Sequence, residues 1–262
     1  MNPLSLALPP ATAGESDAMR DDARSRAEAS PRASLDAAAK DEMFALLDTH
    51  FEGVSRTQFT RDLSEKDWVL RVHRGDRLVG FSTLQIVHTA FEGRRLNIVY
   101  SGDTIMAPDA WGSPVLARGW ISMVRRAQGA LVGEPWYWLL LSSGFRTFRL
   151  LPVFWREFWP RHDAPTPPTM TRLMAQLARE RFGRAFEETA GVVRFAAPQR
   201  LRDALAVVPD GKRRDAHVEF FLARNPGHAA GDELVCLAAL GDENFTAAGA
   251  RMVRGSAPAS PL

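Results

Sequence analysis

Three polar side chains interrupt an apolar stretch in "NIVYSGDTIMAP": Tyr100, Ser101 and Asp103. Polar groups in a central strand are costly unless paired, so the segment is either a strand end with ordinary hydrogen bonds or a site. Asp103 is a candidate general base, and Tyr100 a candidate acid. Gly102 between them suits a bulge, which bends a strand and re-aims its side chains. A second set lies in "RNPGHAAGDELVC", where His228, Asp232 and Glu233 bring three titratable groups within six residues. His228 or Glu233 could stand behind Asp103 in proton transfer. The alternative is a turn made by Pro226, Gly227 and Gly231, followed by a strand with a capping carboxylate. His88, His162 and His217 have no recognisable metal spacing to this loop, so no metal site is expected.

In "LSSGF", Ser142 and Ser143 end an apolar run just before a helical segment. Neither has the flanking glycines of a nucleophile elbow, so a helix cap or a ligand-contacting hydroxyl is the choice. The segment from Phe145 to Arg161 holds six aromatics and four arginines. Phe148, Leu151, Trp155 and Phe158 fall at helical spacing, which fits a core face with solvated arginines. One stripe cannot hold every ring, however, and the surplus could form a wall for an apolar, anionic ligand. A membrane-surface helix is disfavoured by Glu157 and Pro152. The single cysteine, Cys236 in "LVCLAAL", excludes an internal disulfide and reads as a small buried thiol.

The elements that must carry these residues follow from periodicity. Residues 1–34 lack the large apolar groups needed to offset ordering and are expected to be a disordered tail. Ser34 is a candidate cap for the helix "LDAAAKDEMFALLDTHF", and a second Ser cap opens "SRTQFTRDLSEKD". Three β-type runs follow, Trp68–Arg74, Leu78–Phe91 and Arg95–Ile105, separated by the turns "RGDR" and "EGRR". This is an antiparallel meander. Ser113 and Pro114 then open a helix whose apolar stripe includes Val115, Leu116, Trp120, Met123 and Val124. "PWYWLLLSS" is apolar throughout, as a strand covered on both faces should be. A helix over "TMTRLMAQLARERFG", short strands at "GVVRFA", "HVEFFLA" and "DELVCLAAL", and a frayed end from residue 253 complete the chain.

The order helix, helix, three antiparallel strands, helix, strand, helix resembles the GNAT superfamily of N-acetyltransferases over roughly residues 37–161. The resemblance implies an α/β (α+β) fold with a mixed, mostly antiparallel central sheet flanked by helices. The resembling domain is expected at 35–161, and the residues beyond what that family's core needs are expected to form a C-terminal α/β extension at 162–252 packed on it. It implies a splayed pair of strands, acyl-CoA or an acyl-carrier-protein thioester as co-substrate, and no tightly bound cofactor. "MAPDAWGSPVLARG" then corresponds to the pyrophosphate loop, with Gly112 and Ser113 offering amides at a helix N-terminus. Here one glycine precedes the helix, and Pro114 lacks an N–H. The helix after the next strand flanks the pantetheine arm in that fold. Ser142 and Ser143 would then contact the arm, Phe145, Phe148, Phe154 and Trp155 would line an acyl channel, and Arg146 and Arg149 would meet phosphate or an acidic carrier protein.

Composition bounds these readings. The chain has 262 residues, 45% hydrophobic and 24% charged, with a net charge of +2, which gives no footprint for nucleic acid. From Pro114 to Arg161 there are seven arginines against Glu134 and Glu157, so a local positive field is expected. The start is a poor signal peptide and no apolar run approaches the roughly 20 residues that span a bilayer, so a cytoplasmic location is expected. The leading function is acyl transfer from a thioester to a small-molecule amine or hydroxyl, with an acyl group longer than acetyl. The alternatives are a non-catalytic protein holding a fatty-acyl or similar ligand, and a partner-binding protein with Trp155 and Trp159 as an exposed anchor.

Overall fold

The structure, a computed structural model, describes residues 25–131 and 133–254. Its strands are β1 (Ser25–Pro31), β2 (Phe51–Glu52), β3 (Trp68–Arg74), β4 (Arg77–Phe91), β5 (Arg94–Met106), β6 (Trp136–Ser142), β7 (Phe158–Trp159), β8 (Phe186–Glu187), β9 (Val192–Val193), β10 (Arg200–Leu201) and β11 (Glu233–Ala239). Its helices are α1 (Ala37–His50), α2 (Arg56–Ser64), α3 (Val115–Ala130), α4 (Phe145–Phe148), α5 (Leu150–Phe154), α6 (Pro168–Phe182), α7 (Asp203–Ala206), α8 (Asp210–Arg213), α9 (Ala216–Arg224) and α10 (Ala247–Arg254). The main sheet runs β1-β3-β4-β5-β6-β11-β9-β8, with β7 also pairing to β11. Among the described residues β5 and β6 are its one parallel pair, and the other pairs are antiparallel.

The meander lies where the alternation predicts it, and so does β6. Leu140 of β6 joins the aromatic core under α3, α5 and α10, whereas Leu139 and Leu141 join a second core under α6. That is why β6 is apolar without alternation. The region after Arg161 is a continuation of the sheet: β11 lies beside β6 with Cys236 opposite Leu140. Cys236 is fully buried there, and burial raises its thiol pKa.

Four expectations need correction. The tail expected to be disordered through residue 34 contains β1, whose polar "SRAEASP" pairs along β3 through backbone bonds and has no apolar alternation to reveal it; residues 1–24 lie outside the described residues. "HVEFFLA" forms helix α9, with Val218 and Phe221 buried three residues apart. The cap of α1 is Asp36, which accepts from Ala39 N–H at 2.8 Å, and not Ser34. The end expected to fray from residue 253 is helical in α10 as far as Arg254, and residues 255–262 lie outside the described residues. The cap expected at Ser55 is present, accepting from Gln58 N–H at 3.1 Å.

Candidate functional site

The site begins where β5 and β6 part. Their pairing runs from Asn97 opposite Trp136 to Ser101 opposite Leu140 and stops there. Beyond it β5 stays with β4, while β6 follows β11 to Ser142 opposite Leu234. The cause is local. On β4, Leu84 faces Ser101 and Ser82 faces Thr104, so Gly102 and Asp103 together oppose Thr83. This extra residue is a bulge, which bends β5 away from its parallel neighbour. The fold therefore has the element order and the splayed strands that the resemblance implied.

A cavity opens on each face of the fork. The one under α3 has a volume of about 340 Å³; the one walled by α1, α2, α6 and the 195–199 segment has about 470 Å³. Both fall in the range of small-molecule sites. Ser101, Thr104, Leu140, Ser143 and Thr147 line both, so the cavities adjoin at the fork.

The cavity facing α2 and α6 gathers the titratable groups. Asp103, Tyr100 and Glu233, some 130 residues apart in sequence, all line it, together with Lys66 and Arg181. Burial pushes the Asp103 carboxyl up to about 6, opposed by the charge of Lys66. Burial and the nearby Asp103 charge push Glu233 up to about 8. Both carboxyls are thus held above their ordinary range, and they titrate as a coupled pair. Lys66 is buried, its ammonium donates to the Asp62 carbonyl at 3.0 Å, and burial lowers its pKa. Arg181 stacks 3.9 Å from the Tyr100 ring centroid and donates to Gln85 Oε1 at 2.6 Å and Glu65 Oε2 at 3.1 Å. Desolvation raises the Tyr100 pKa well above its usual value. A phenol so weakly acidic is a poor proton donor, and Tyr100 lines only the α6-side cavity.

The α3-side cavity is largely apolar. Trp120, Trp138 and Trp155 form one aromatic group, with ring centroids 4.7, 4.9 and 6.0 Å apart. The indole N–H groups of Trp120 and Trp138 both donate to Ser101 Oγ, at 3.1 and 2.8 Å. Gly112, Ser113, Trp111 and Arg146 line the same cavity at the start of α3. Gly112 adopts φ +92°, which favours glycine. Ser113 accepts from Val115 N–H at 3.3 Å, although Pro114 occupies the cap position. Arg146 lies 4.0 Å from the Trp111 ring centroid and donates to the Leu205 carbonyl at 2.8 Å.

The other sequence candidates divide. Phe154, Trp155, Ser143 and Arg149 line the α3-side cavity, with Arg149 bound to Asp215 at 3.0 Å. Phe148 is fully buried against Phe158, Phe220 and Phe221, and Phe145 is buried at the edge of the small pocket that also holds His228, so neither ring lines either cavity at the fork. Ser142 is buried and donates to the Gly144 carbonyl at 3.1 Å, outside both cavities. His228 faces a small separate pocket beside Arg146, its Nδ1 3.0 Å from the Asn225 carbonyl, and does not join Asp103. Trp155 and Trp159 are both buried, which removes the exposed anchor. The expected positive field is reduced, since Arg125, Arg149 and Arg161 pair with Asp242, Asp215 and Asp163, acids outside the window that was counted. Sequence reasoning missed Lys66 and Arg181. A lysine after a polar helix and an arginine near a helix end carry no signal of burial.

No family model matches the chain, and no curated protein matches it. Among solved structures, similarity extends to a probable N-acyltransferase from Enterococcus faecalis V583, with 14% identity over 48% of this chain and 31% of that one, at a TM-score of 0.37. A GCN5-related N-acetyltransferase from Kribbella flavida shares 15% identity over 49% and 33% of the two chains, TM-score 0.37. ElaA from Escherichia coli shares 13% identity over 53% and 94%, TM-score 0.36. The chain thus spans about a third of the length of the first two. Whatever function is assigned here must rest on the fork and its two cavities.

Proposed function

We propose that this protein transfers an acyl group from a thioester, with CoA as carrier, to an amine or hydroxyl acceptor. The observation that supports this is the fork itself. One gap in the sheet joins a cavity rich in acid–base groups to a cavity lined by apolar surface, Arg146 and a helix start. Acyl transfer needs the acceptor's lone pair held against the face of the donor's carbonyl, and two cavities adjoining at one gap can hold donor and acceptor each on its own side.

In this reading the acceptor enters between α2 and α6, and the Asp103 carboxylate removes its proton. The acceptor nitrogen or oxygen attacks the thioester carbonyl carbon in the gap. The C–S bond then breaks, the thiolate departs into the α3-side cavity, and solvent protonates it. Backbone amides left unpaired by the splaying of β5 and β6 are the groups available to the oxyanion. Burial and the Asp103 charge favour the neutral form of Glu233 while Asp103 is ionised, which limits negative charge beside the attacking group. Tyr100 is assigned no proton-transfer role; it shapes the acceptor side.

The test is isothermal titration of the full chain with CoA and acetyl-CoA, followed by a free-thiol release assay against panels of amines and alcohols. Binding of CoA thioesters, with thiol release that depends on an acceptor, supports the reading. Absence of binding by any CoA thioester overturns it, and carrier-protein thioesters would be the next donors to examine.

A further inference from the structure

We infer that the donor's acyl group is a medium or long apolar chain, held on the α3 face of the sheet in a slot walled by Trp120, Trp138, Phe154 and Trp155. This rests on the acyl-transfer reading and names the class of substrate that the same site takes.

The inference comes from the polarity gradient of one cavity. At the start of α3 it presents Gly112, Ser113 and Arg146. No carboxylate pairs with Arg146 among the described salt bridges, in contrast to Arg149, which Asp215 neutralises. That end suits an anionic group. From α3 the cavity is lined by Leu116, Ala117, Trp120 and Ile121, so it extends along more than one helix turn, on the order of 7 Å. At its far end the walls are indole and phenyl rings. Ser101 accepts the N–H groups of Trp120 and Trp138, leaving these two rings to present apolar surface. Trp138 pairs with Val99, two residues before the fork opens. The slot therefore reaches below the fork, past the point where a thioester carbonyl would lie in the gap. An acetyl group would end at the gap and leave the aromatic slot without a partner. A chain that turns down the α3 face fills it and stays clear of the acceptor cavity.

One further feature fits a ligand here. Trp155 is 2% exposed and lines the cavity, yet its indole N–H has no hydrogen-bond partner in the protein. Buried donors are seldom left without an acceptor. An oxygen of the bound thioester or of its acyl chain would satisfy it.

The experiment is titration of the full chain with acetyl-, butanoyl-, octanoyl- and dodecanoyl-CoA, and with free octanoate. Burial of methylenes in an apolar slot should tighten binding by about tenfold or more from acetyl- to octanoyl-CoA. Ala117→Phe, which adds a ring inside the slot, should abolish that gain and leave acetyl-CoA affinity within about twofold. A second measurement uses the unaltered protein and is independent of any change in α3. Octanoyl-CoA brominated at its chain end should quench tryptophan fluorescence by at least twice as much as acetyl-CoA of equal saturation. Equal affinity across all chain lengths, or no excess quenching, overturns the inference while leaving acyl transfer from acetyl-CoA intact. Octanoate binding as tightly as octanoyl-CoA also overturns it, since the slot would then serve a free acid. Failure of every thioester to bind overturns this inference and the function together.

Discussion

Gly102 lies directly beneath Lys66: a β-carbon built on the glycine would sit 2.4 Å from Lys66 Cε and 2.6 Å from Thr83 Oγ1. The bulge that opens the fork and the buried amine beside it are therefore one arrangement. Gly102→Ala should displace Lys66 and close the bulge, with a loss of about 1–3 kcal/mol in stability from overpacking. The double variant Gly102→Ala/Lys66→Ala should recover only the part of that loss that Lys66 causes, because Thr83 Oγ1 still lies 2.6 Å from the added β-carbon. Urea unfolding of the two single variants and the double variant measures the coupling. Additive effects would mean that the two residues do not share the space.

Asp103 is assigned as the base that accepts the acceptor's proton. Asp103→Asn should lower kcat by about 10²–10⁴-fold and leave the affinity for CoA thioesters unchanged, since the donor binds across the fork. The wild-type rate should rise with pH through about 6 as the carboxylate forms. A rate profile that keeps this limb in Asp103→Asn would remove Asp103 from the role.

Glu233 makes the opposite kind of statement about stability. Its pKa is raised in the folded state, to about 8, so the folded chain binds more protons than the unfolded chain between its ordinary value and 8. Stability then falls as pH rises through that window. Glu233→Gln keeps the shape and removes the charge. Its melting temperature should exceed that of wild type at pH 8 and match it at pH 5. A deficit at pH 8 would show that the ionised carboxylate is stabilised by its surroundings.

How much of this was legible depended on whether apolar alternation reported the position. The meander and β6 were, because each strand's pattern follows directly from which faces are covered. β1 was not, since its pairing with β3 uses backbone groups beneath a polar sequence. In α9 a short apolar run fits either period, and only packing of Val218 and Phe221 decides it. At the site, Asp103, Tyr100 and Glu233 stood out as polar groups in or beside apolar runs. Lys66 and Arg181 stood in polar surroundings, and only the fold turns them inward. Phe145 and Phe148 were expected to line a channel but lie outside both cavities, because ring content cannot tell a core face from a cavity face.

Ser101 joins the fork to the aromatic slot through one oxygen that accepts two buried indole N–H groups. Ser101→Ala leaves both donors without a partner, at about 1–3 kcal/mol for each buried group. The loss should therefore be larger than that of an ordinary serine in a strand, and larger than that of Ser142→Ala, whose hydroxyl serves one carbonyl. Trp120→Phe in the Ser101→Ala background should cost less than Trp120→Phe alone, because the N–H it removes is already unpaired. Chemical denaturation of the four variants tests this, with tryptophan emission as a second readout of the slot. Equal costs for Ser101→Ala and Ser142→Ala would mean that water replaces the missing oxygen, and that the aromatic slot is wetter than its rings imply.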